Sequence, residues 1–288
     1  MKLVPDLLFL CNHGKRSSLL LNDADNFKKN NKKKRDQNGG KDTRLSLDVL
    51  VDYIKDCKVP KAWFLHMYLF AIANVAYCLY HQDTSLFITT PKVDMVLVYL
   101  ALLGLHCCRR AYECVFVFNF GHSKMHLASY TIGLVHYLFT PWTLMTSQRQ
   151  LELQALSILD YSAFICYSVG MVSQHYFHRV LASPNKGENT ETEKEKTSKK
   201  SNKEGRVYIF PSGFGFNIVC CPHYTSEIVI YMSFCLMDPK NTAILCLLIW
   251  VMSNLAVVSD DTYKWYCTEF PEEVKKKSVW NRLVPFLY

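Results

Sequence analysis

The chain has 288 residues, half of them apolar, with a formal net charge of +8 and a mean hydropathy of zero. That zero is a cancellation: long aromatic-rich apolar stretches alternate with short, almost wholly charged ones. This sorting belongs to a polytopic membrane protein, and it excludes a soluble domain, which mixes the two at helical or strand period. The basic residues fall in three blocks between apolar runs and not along one face, which argues against a nucleic-acid-binding surface.

Residues 1–10 hold an apolar run too short to span a membrane and no small-residue cleavage site, so neither a signal peptide nor an anchor is read there. Residues 1–27 form an N-terminal segment, followed at 28–44 by a basic insert. Residues 28–42 and 183–204 are rich in Lys, Asn, Glu, Ser and Thr and lack aromatics, the composition of segments without fixed structure. Between and after them lie a membrane domain at 45–182, a charged loop at 183–206 and a C-terminal membrane domain at 207–288.

About 20 helical residues cross a hydrocarbon layer of ~30 Å. Apolar runs of that kind occupy 62–80, 93–117, 126–145, 153 or 155 to 180, a shorter 226–237, and 241–258. The expected fold is all-α, a polytopic transmembrane helical bundle of about six spans. The basic blocks at 28–35, 186–206 and Lys275-Lys276-Lys277 are separated by even numbers of crossings. They therefore share one side, and the positive-inside rule makes it the cytosol. The twelve cysteines lie mostly in apolar runs (Cys78, Cys114, Cys166, Cys235, Cys246), where a thiol packs as a small hydrophobe. The adjacent pairs Cys107-Cys108 and Cys220-Cys221 lack the spacing of zinc ligands, so no metal is expected.

Ionisable groups inside a span cost ~2.5 to 3.5 kcal/mol on insertion scales, so each asks for a reason. In the second run Arg109 or Arg110 can reach Glu113 one turn on. The arrangement is either a self-neutralising structural pair or a polar lining for a lipid-accessible cavity. In the fourth run Gln174 and His178 share a helical face with Gly170, and His175 is expected to point elsewhere. These are either interhelical hydrogen-bonding groups or a ligand face at the cytosolic end of the helix.

The stretch 208–227 is the densest in motifs. Gly213 and Gly215 do not make a dinucleotide fingerprint, since no strand is expected before them and no third glycine follows at the required spacing. They suit a tight aromatic loop entering the membrane surface. Pro222 fits the first turn of a helix that carries His223 and Glu227 on one face. A histidine beside a carboxylate can bind an amide or a ribose and fix a cofactor's pose.

The order Gln174-x-x-x-His178, Tyr208-x-x-Pro-x-Gly-x-x-Phe216, Pro222-His-Tyr-x-x-Glu227, Trp265-Tyr266 and Pro285-Phe-Leu-Tyr288 resembles the steroid 5-alpha-reductase family. The stretch Leu105-His-Cys-Cys-Arg-Arg-Ala-Tyr-Glu-Cys114, with Met125-His126 and Tyr130-x-x-Gly-Leu134, is similar to its polyprenol (polyprenal) reductase branch. The likeness covers most of residues 45–288 outside the charged inserts. It implies NADPH bound from the cytosolic side by Gln174, His178, Tyr208, His223, Glu227 and Tyr266, with Lys124 at a cofactor phosphate. It also implies catalytic candidates Asp6, His106 and Glu113, Asp6 corresponding to an acidic residue that polarises the substrate carbonyl.

Three features depart from the family. Relatives have seven spans, and the six counted here place the start of this chain after the first. Tyr263 stands where a histidine is common, and 271–282 lacks the usual Tyr-Pro-x-x-Arg-Lys order.

The implied reaction is hydride transfer to the beta carbon of an alpha,beta-unsaturated carbonyl. This points to reduction of the alpha-isoprene double bond of a polyprenoid lipid on the dolichol route to protein N-glycosylation. The implied location is the endoplasmic reticulum membrane, with membrane lipid as neighbour. A polyprenol has no carbonyl to receive the electron pair, so the aldehyde, polyprenal, is the expected substrate. The rival readings are reduction of a steroid enone or an enoyl thioester, a membrane methyltransferase of the isoprenylcysteine type, and an inactive family member. Oligomeric state is not readable.

Overall fold

A computed structural model describes residues 57–82, 92–152, 155–182, 199–201, 207–277 and 280–283. Asp6 and the basic insert at 28–44 lie outside these residues. The chain divides into two compact units, residues 1–63 with 120–133 and residues 64–119 with 134–288.

In the smaller unit, β1 (Lys58–Pro60) pairs antiparallel with β3 (Lys124–His126), Lys58 opposite His126. Trp63 meets Tyr130 edge-on, ring centres 5.3 Å apart.

The larger unit carries the helices. They are α1 (Phe64–Tyr80), α2 (Met95–Tyr112), α3 (Leu127–Leu144, which starts in the smaller unit), α4 (Ile158–Ala182), α5 (Pro222–Met237), α6 (Thr242–Glu269) and the short α7 (Pro271–Lys275). Six long helices thus stand on the six apolar runs, and the protein is a polytopic helical membrane protein. Among the described residues, three stretches are long and apolar enough to cross a membrane: Lys61–Tyr80, Met95–Val117 and Thr242–Glu269.

Local chemistry accounts for the helix ends. Asp94 closes β2 (Lys92–Asp94, paired with β4, Gln150–Glu152) and accepts the Val96 N–H at 2.9 Å, capping α2. Asn241 does the same for α6, accepting from Ala243 and Ile244 at 3.0 and 3.3 Å. Pro222 opens α5, where its missing N–H costs nothing. Helix α2 ends in one wide π turn, Glu113–Val117.

Pro141 sits inside α3 and leaves the carbonyl of Tyr137 without its helical donor. Asn74 of α1 supplies one, its Nδ2 donating to the carbonyls of Tyr137 (3.0 Å) and Leu138 (2.9 Å). Helices α4 and α5 approach closely at Gly170, where an added Cβ would lie 2.7 Å from Ile230 Cγ1 and 3.0 Å from the Ser226 carbonyl. Ser173 and Ser226 share a 2.9 Å hydrogen bond across this small-residue seam. The Tyr99 hydroxyl, fully buried, donates to the Phe234 carbonyl at 3.0 Å and ties α2 to α5.

At the start of α4 a second set of charges forms a latch. Arg149 lies 2.7 Å from Asp160 Oδ1 and donates to its Oδ2 at 2.8 Å, and it also donates to the Met237 carbonyl. Asp160 Oδ2 further accepts from the Ser157 amide and hydroxyl, at 2.9 and 2.7 Å. Ser147 donates to Asp238 at 2.6 Å. The bond to Asp160 holds the Arg149 guanidinium above its ordinary range, so it stays charged.

Two expectations change. Lys199–Ser201, inside the stretch read as lacking fixed structure, forms β5, paired with β6 (Val207–Ile209). Helix α6 runs on past 258 to Glu269, because Asp260, Asp261 and Lys264 end the apolar run without breaking the helix.

Candidate active site

Helix α2 places His106, Arg109, Arg110 and Glu113 three to four residues apart, on one face. Helices α4 and α5 bring Gln174, His175, His178 and Glu227 against that face, and the result is one largely buried polar network. Glu113 is its hub and is fully buried. Its Oε1 lies 2.6 Å from Arg109 Nη1 and 2.9 Å from His175 Nδ1. Its Oε2 accepts from Arg110 and lies 2.7 Å from His178 Nδ1.

Glu227 is a second hub. Gln174 Nε2 donates to its Oε2, and His106 Nε2 stands 3.3 Å from its Oε1. Gln174 joins the two hubs, since its own Oε1 accepts from Arg109. The network continues to α1, where Arg110 Nε donates to the Tyr68 hydroxyl at 3.0 Å with its guanidinium 5.0 Å from the Tyr68 ring centre. Two carboxylates balance two guanidinium groups, which lets these charges sit inside a membrane protein at tolerable cost.

Exposure separates the members. The side chains of Glu113 and His106 are 0% and 1% accessible, whereas Arg109, Arg110 and Glu227 keep 13%, 15% and 15%. The network therefore leaves two guanidinium edges, one carboxylate edge and the His175 ring, at 32%, partly accessible, and keeps Glu113, His106 and His178 behind them.

The structure thus joins five of the sequence candidates, His106, Glu113, Gln174, His178 and Glu227. The ring of His223 lies 5.6 Å from that of His178. His175, expected to point elsewhere, also bonds Glu113: it is one step round the helix, yet the carboxylate lies between the two histidines. Lys124 is an exposed residue of β3 in the smaller unit. Tyr208 stands in β6 opposite Lys200.

Tyr266 belongs to an aromatic cluster with Phe210 (5.5 Å) and Trp280 (5.5 Å). Beside it Arg282 stacks on Tyr263 at 4.8 Å and bonds Asp260 at 2.5 Å. Lys277 lies 5.9 Å over Phe210 and donates to Asn217 at 2.6 Å, and burial pulls its ammonium below the usual lysine range.

The glycine loop is pinned to α4. Gly213 and Gly215 have φ of 98° and 80°, and a Cβ on Gly215 would lie 2.6 Å from the Phe177 ring. Phe214 stacks on Phe177 with ring planes 11° apart. A short strand, β6, does precede the glycines, contrary to expectation. It is one arm of a hairpin, and the helix that follows opens only at Pro222, so the dinucleotide fingerprint still fails.

A separate cavity of about 420 Å³ lies between α3 and α6, lined by Val135, His136, Phe139, Thr140, Leu247 and Trp250 among others. His136 Nε2 is 2.8 Å from the hydroxyl of Tyr231, which stands one helical turn beyond Glu227 on α5. The sequence reading missed this cavity. A histidine inside the third apolar run was its available signal.

Residues 142–288 match the family model described as 3-oxo-5-alpha-steroid 4-dehydrogenase. The chain is 25% identical over 266 residues to a polyprenal reductase of Caenorhabditis elegans, covering 81% of each protein. It is 26% identical over 224 residues to the polyprenal reductase of Saccharomyces cerevisiae, covering 77% of this chain and 74% of that protein. With the polyprenal reductase of Drosophila melanogaster it shares 26% over 275 residues, 83% of this chain and 79% of that protein.

Proposed function

Since the chain belongs to the 3-oxo-5-alpha-steroid 4-dehydrogenase family, whose members are reductases, we propose that it is a polyprenal reductase. In this reading it uses NADPH to saturate the alpha-isoprene double bond of polyprenal, in the endoplasmic reticulum membrane on the route to dolichol, with its C-terminus cytosolic. The observation that carries the proposal is the buried network of α2, α4 and α5, with its partly accessible Arg109, Arg110 and Glu227.

Those three edges fit a dinucleotide. Two guanidinium groups suit phosphates, and a carboxylate accepts from an amide or a ribose hydroxyl. When bound, NADPH supplies a hydride. Glu227 and Gln174 hold the amide end in a fixed pose, and Arg109 and Arg110 hold the anionic part. His223, Tyr208 and the Tyr266 cluster are further contacts for the cofactor. Glu113 and His106, buried behind this surface, act by positioning: Glu113 fixes the two arginines and His178, and His106 fixes Glu227. Asp6 and Lys124 are kept as candidates on the family likeness alone.

The cavity between α3 and α6 supports the lipid half of the reading. It is mostly apolar with a few polar groups, and its size falls within the ~300–1,000 Å³ of ligand pockets.

The test is incubation of purified protein with NADPH and, separately, polyprenal and polyprenol. The expected product is dolichal, from the aldehyde only. Saturation of the alcohol with no aldehyde formed would overturn the choice of substrate. Binding of S-adenosylmethionine with none of NADPH would place the protein among the methyltransferases instead.

A further inference from the structure

The cavity between α3 and α6 contains a histidine with one ring nitrogen committed and one available. His136 Nε2 is 2.8 Å from the Tyr231 hydroxyl and 3.5 Å from Thr140 Oγ1. The Thr140 hydroxyl donates to the His136 carbonyl at 2.7 Å, which leaves Tyr231 as the strong partner of Nε2. Among the described residues nothing bonds Nδ1 of His136. Tyr231 is itself buried.

If the Tyr231 hydroxyl donates to Nε2, the neutral imidazole carries its proton on Nδ1, because the partner of one ring nitrogen sets the state of the other. A donor then belongs to a residue lining a mostly apolar cavity, where it is worth more than in water. His136 is the only titratable side chain besides Cys246 among the cavity-lining residues. Glu227 lies one turn from Tyr231 on the same helix, so this donor is set near the network assigned to the cofactor.

We propose that His136, held by Tyr231, is a catalytic residue that hydrogen-bonds the carbonyl oxygen of the lipid aldehyde and stabilises the enolate formed from it. The proposal rests on the reductase reading. In the step, the beta carbon of the aldehyde gains a hydride from the reduced nicotinamide, and the electron pair of the carbon–carbon double bond moves to give an enolate. The negative charge on oxygen is met by the His136 Nδ1–H. A proton taken from water at the alpha carbon restores the carbonyl and completes the saturated aldehyde, leaving the nicotinamide oxidised and hydroxide to be neutralised by solvent. Stabilising an oxyanion that exists only after hydride transfer lowers the barrier without tightening substrate binding to the same degree.

The experiment uses the full chain in lipid nanodiscs, with His136→Phe, His136→Asn and Tyr231→Phe. His136→Phe is expected to lower kcat on polyprenal by about 100-fold, as loss of one oxyanion donor does, with KM for NADPH unchanged. Asn places an amide N–H near the Nδ1 position, so His136→Asn should recover part of that loss. Tyr231→Phe should fall between wild type and His136→Phe.

A second readout is binding of geranial against an equal-length hydrocarbon without oxygen, followed by Trp250 fluorescence. His136→Phe should reduce the preference for the aldehyde by about tenfold, the equivalent of one net hydrogen bond. An unchanged kcat, or an unchanged aldehyde preference in a folded variant, would overturn the assignment. If His136→Phe does not fold, the Asn and Tyr231→Phe variants decide by the same two readouts. Failure of wild type to reduce polyprenal at all would sink the reductase reading, while the binding comparison would still judge His136.

Discussion

The two ends of α4 both carry buried charge, and they carry it differently. At Asp160 the charges are matched one to one: a single arginine, its side chain 30% accessible, a single buried aspartate and neighbouring serine and carbonyl groups join the turn after α3 to α4 and α5. At Gln174 to His178 the arrangement holds two carboxylates, two arginines and three histidines, and part of it stays accessible. A fold needs only the first kind. The second kind holds more ionisable groups than matched charges require, three histidines among them, and this surplus is why the second end is the one proposed as the functional site.

The contrast can be broken first at Glu113. Glu113→Gln strands Arg109 and Arg110 with one buried anion fewer, and breaking a buried pair costs about 3–5 kcal/mol. Thermal unfolding in detergent should show a large drop, and activity should vanish with it. Asp160→Asn should cost about 2–3 kcal/mol, as bonds to a charged group do, yet leave KM for NADPH and kcat per folded molecule unchanged. A shifted KM would mean that the latch is not purely structural.

Glu227→Gln should do the reverse. Its side chain keeps 15% accessibility, so the stability loss should be smaller than at Glu113, whereas KM for NADPH should rise by about 10- to 100-fold, equivalent to about 1.5–3 kcal/mol of charged hydrogen bonding. Steady-state kinetics beside a melting curve separates the two. Asn241→Ala, at the latch end, removes a helix cap and an exposed bond to Thr146 (3.1 Å); a stability loss of about 1 kcal/mol is expected, with kinetics unaltered.

What could be read from the sequence depended on whether the signal was local. Helix positions followed from apolar runs, and the start of α5 followed from Pro222. Glu113 with its arginines, and Gln174 with His178, were found because helical spacing fixes which residues share a face. The end of α6 is not marked by its apolar run, because charged residues extend a helix beyond its apolar part without strain. Strand β6 had a signal in Val207-Tyr208-Ile209, a β-favouring run, and β5 had none inside a polar tract. The contact of Arg110 with Tyr68, the reach of His175 to Glu113, and the pairing of His136 with Tyr231 join residues far apart in sequence, and no periodicity encodes them.

The hold of Asn74 on α3 has a consequence for how this protein can change. The amide grips two backbone carbonyls, one of them freed by Pro141, and touches no side chain of α3 to do so. This part of the attachment to α1 is therefore indifferent to most substitutions along α3, position 141 excepted, while Tyr137 and Trp142 add ring contacts with Tyr68 (5.4 Å) and Tyr77 (6.4 Å). Val135, Phe139 and Thr143, which line the cavity from α3, can vary to suit a longer or bulkier lipid while the helix stays moored. Drift in ligand preference and loss of assembly are thereby uncoupled on this side of the molecule.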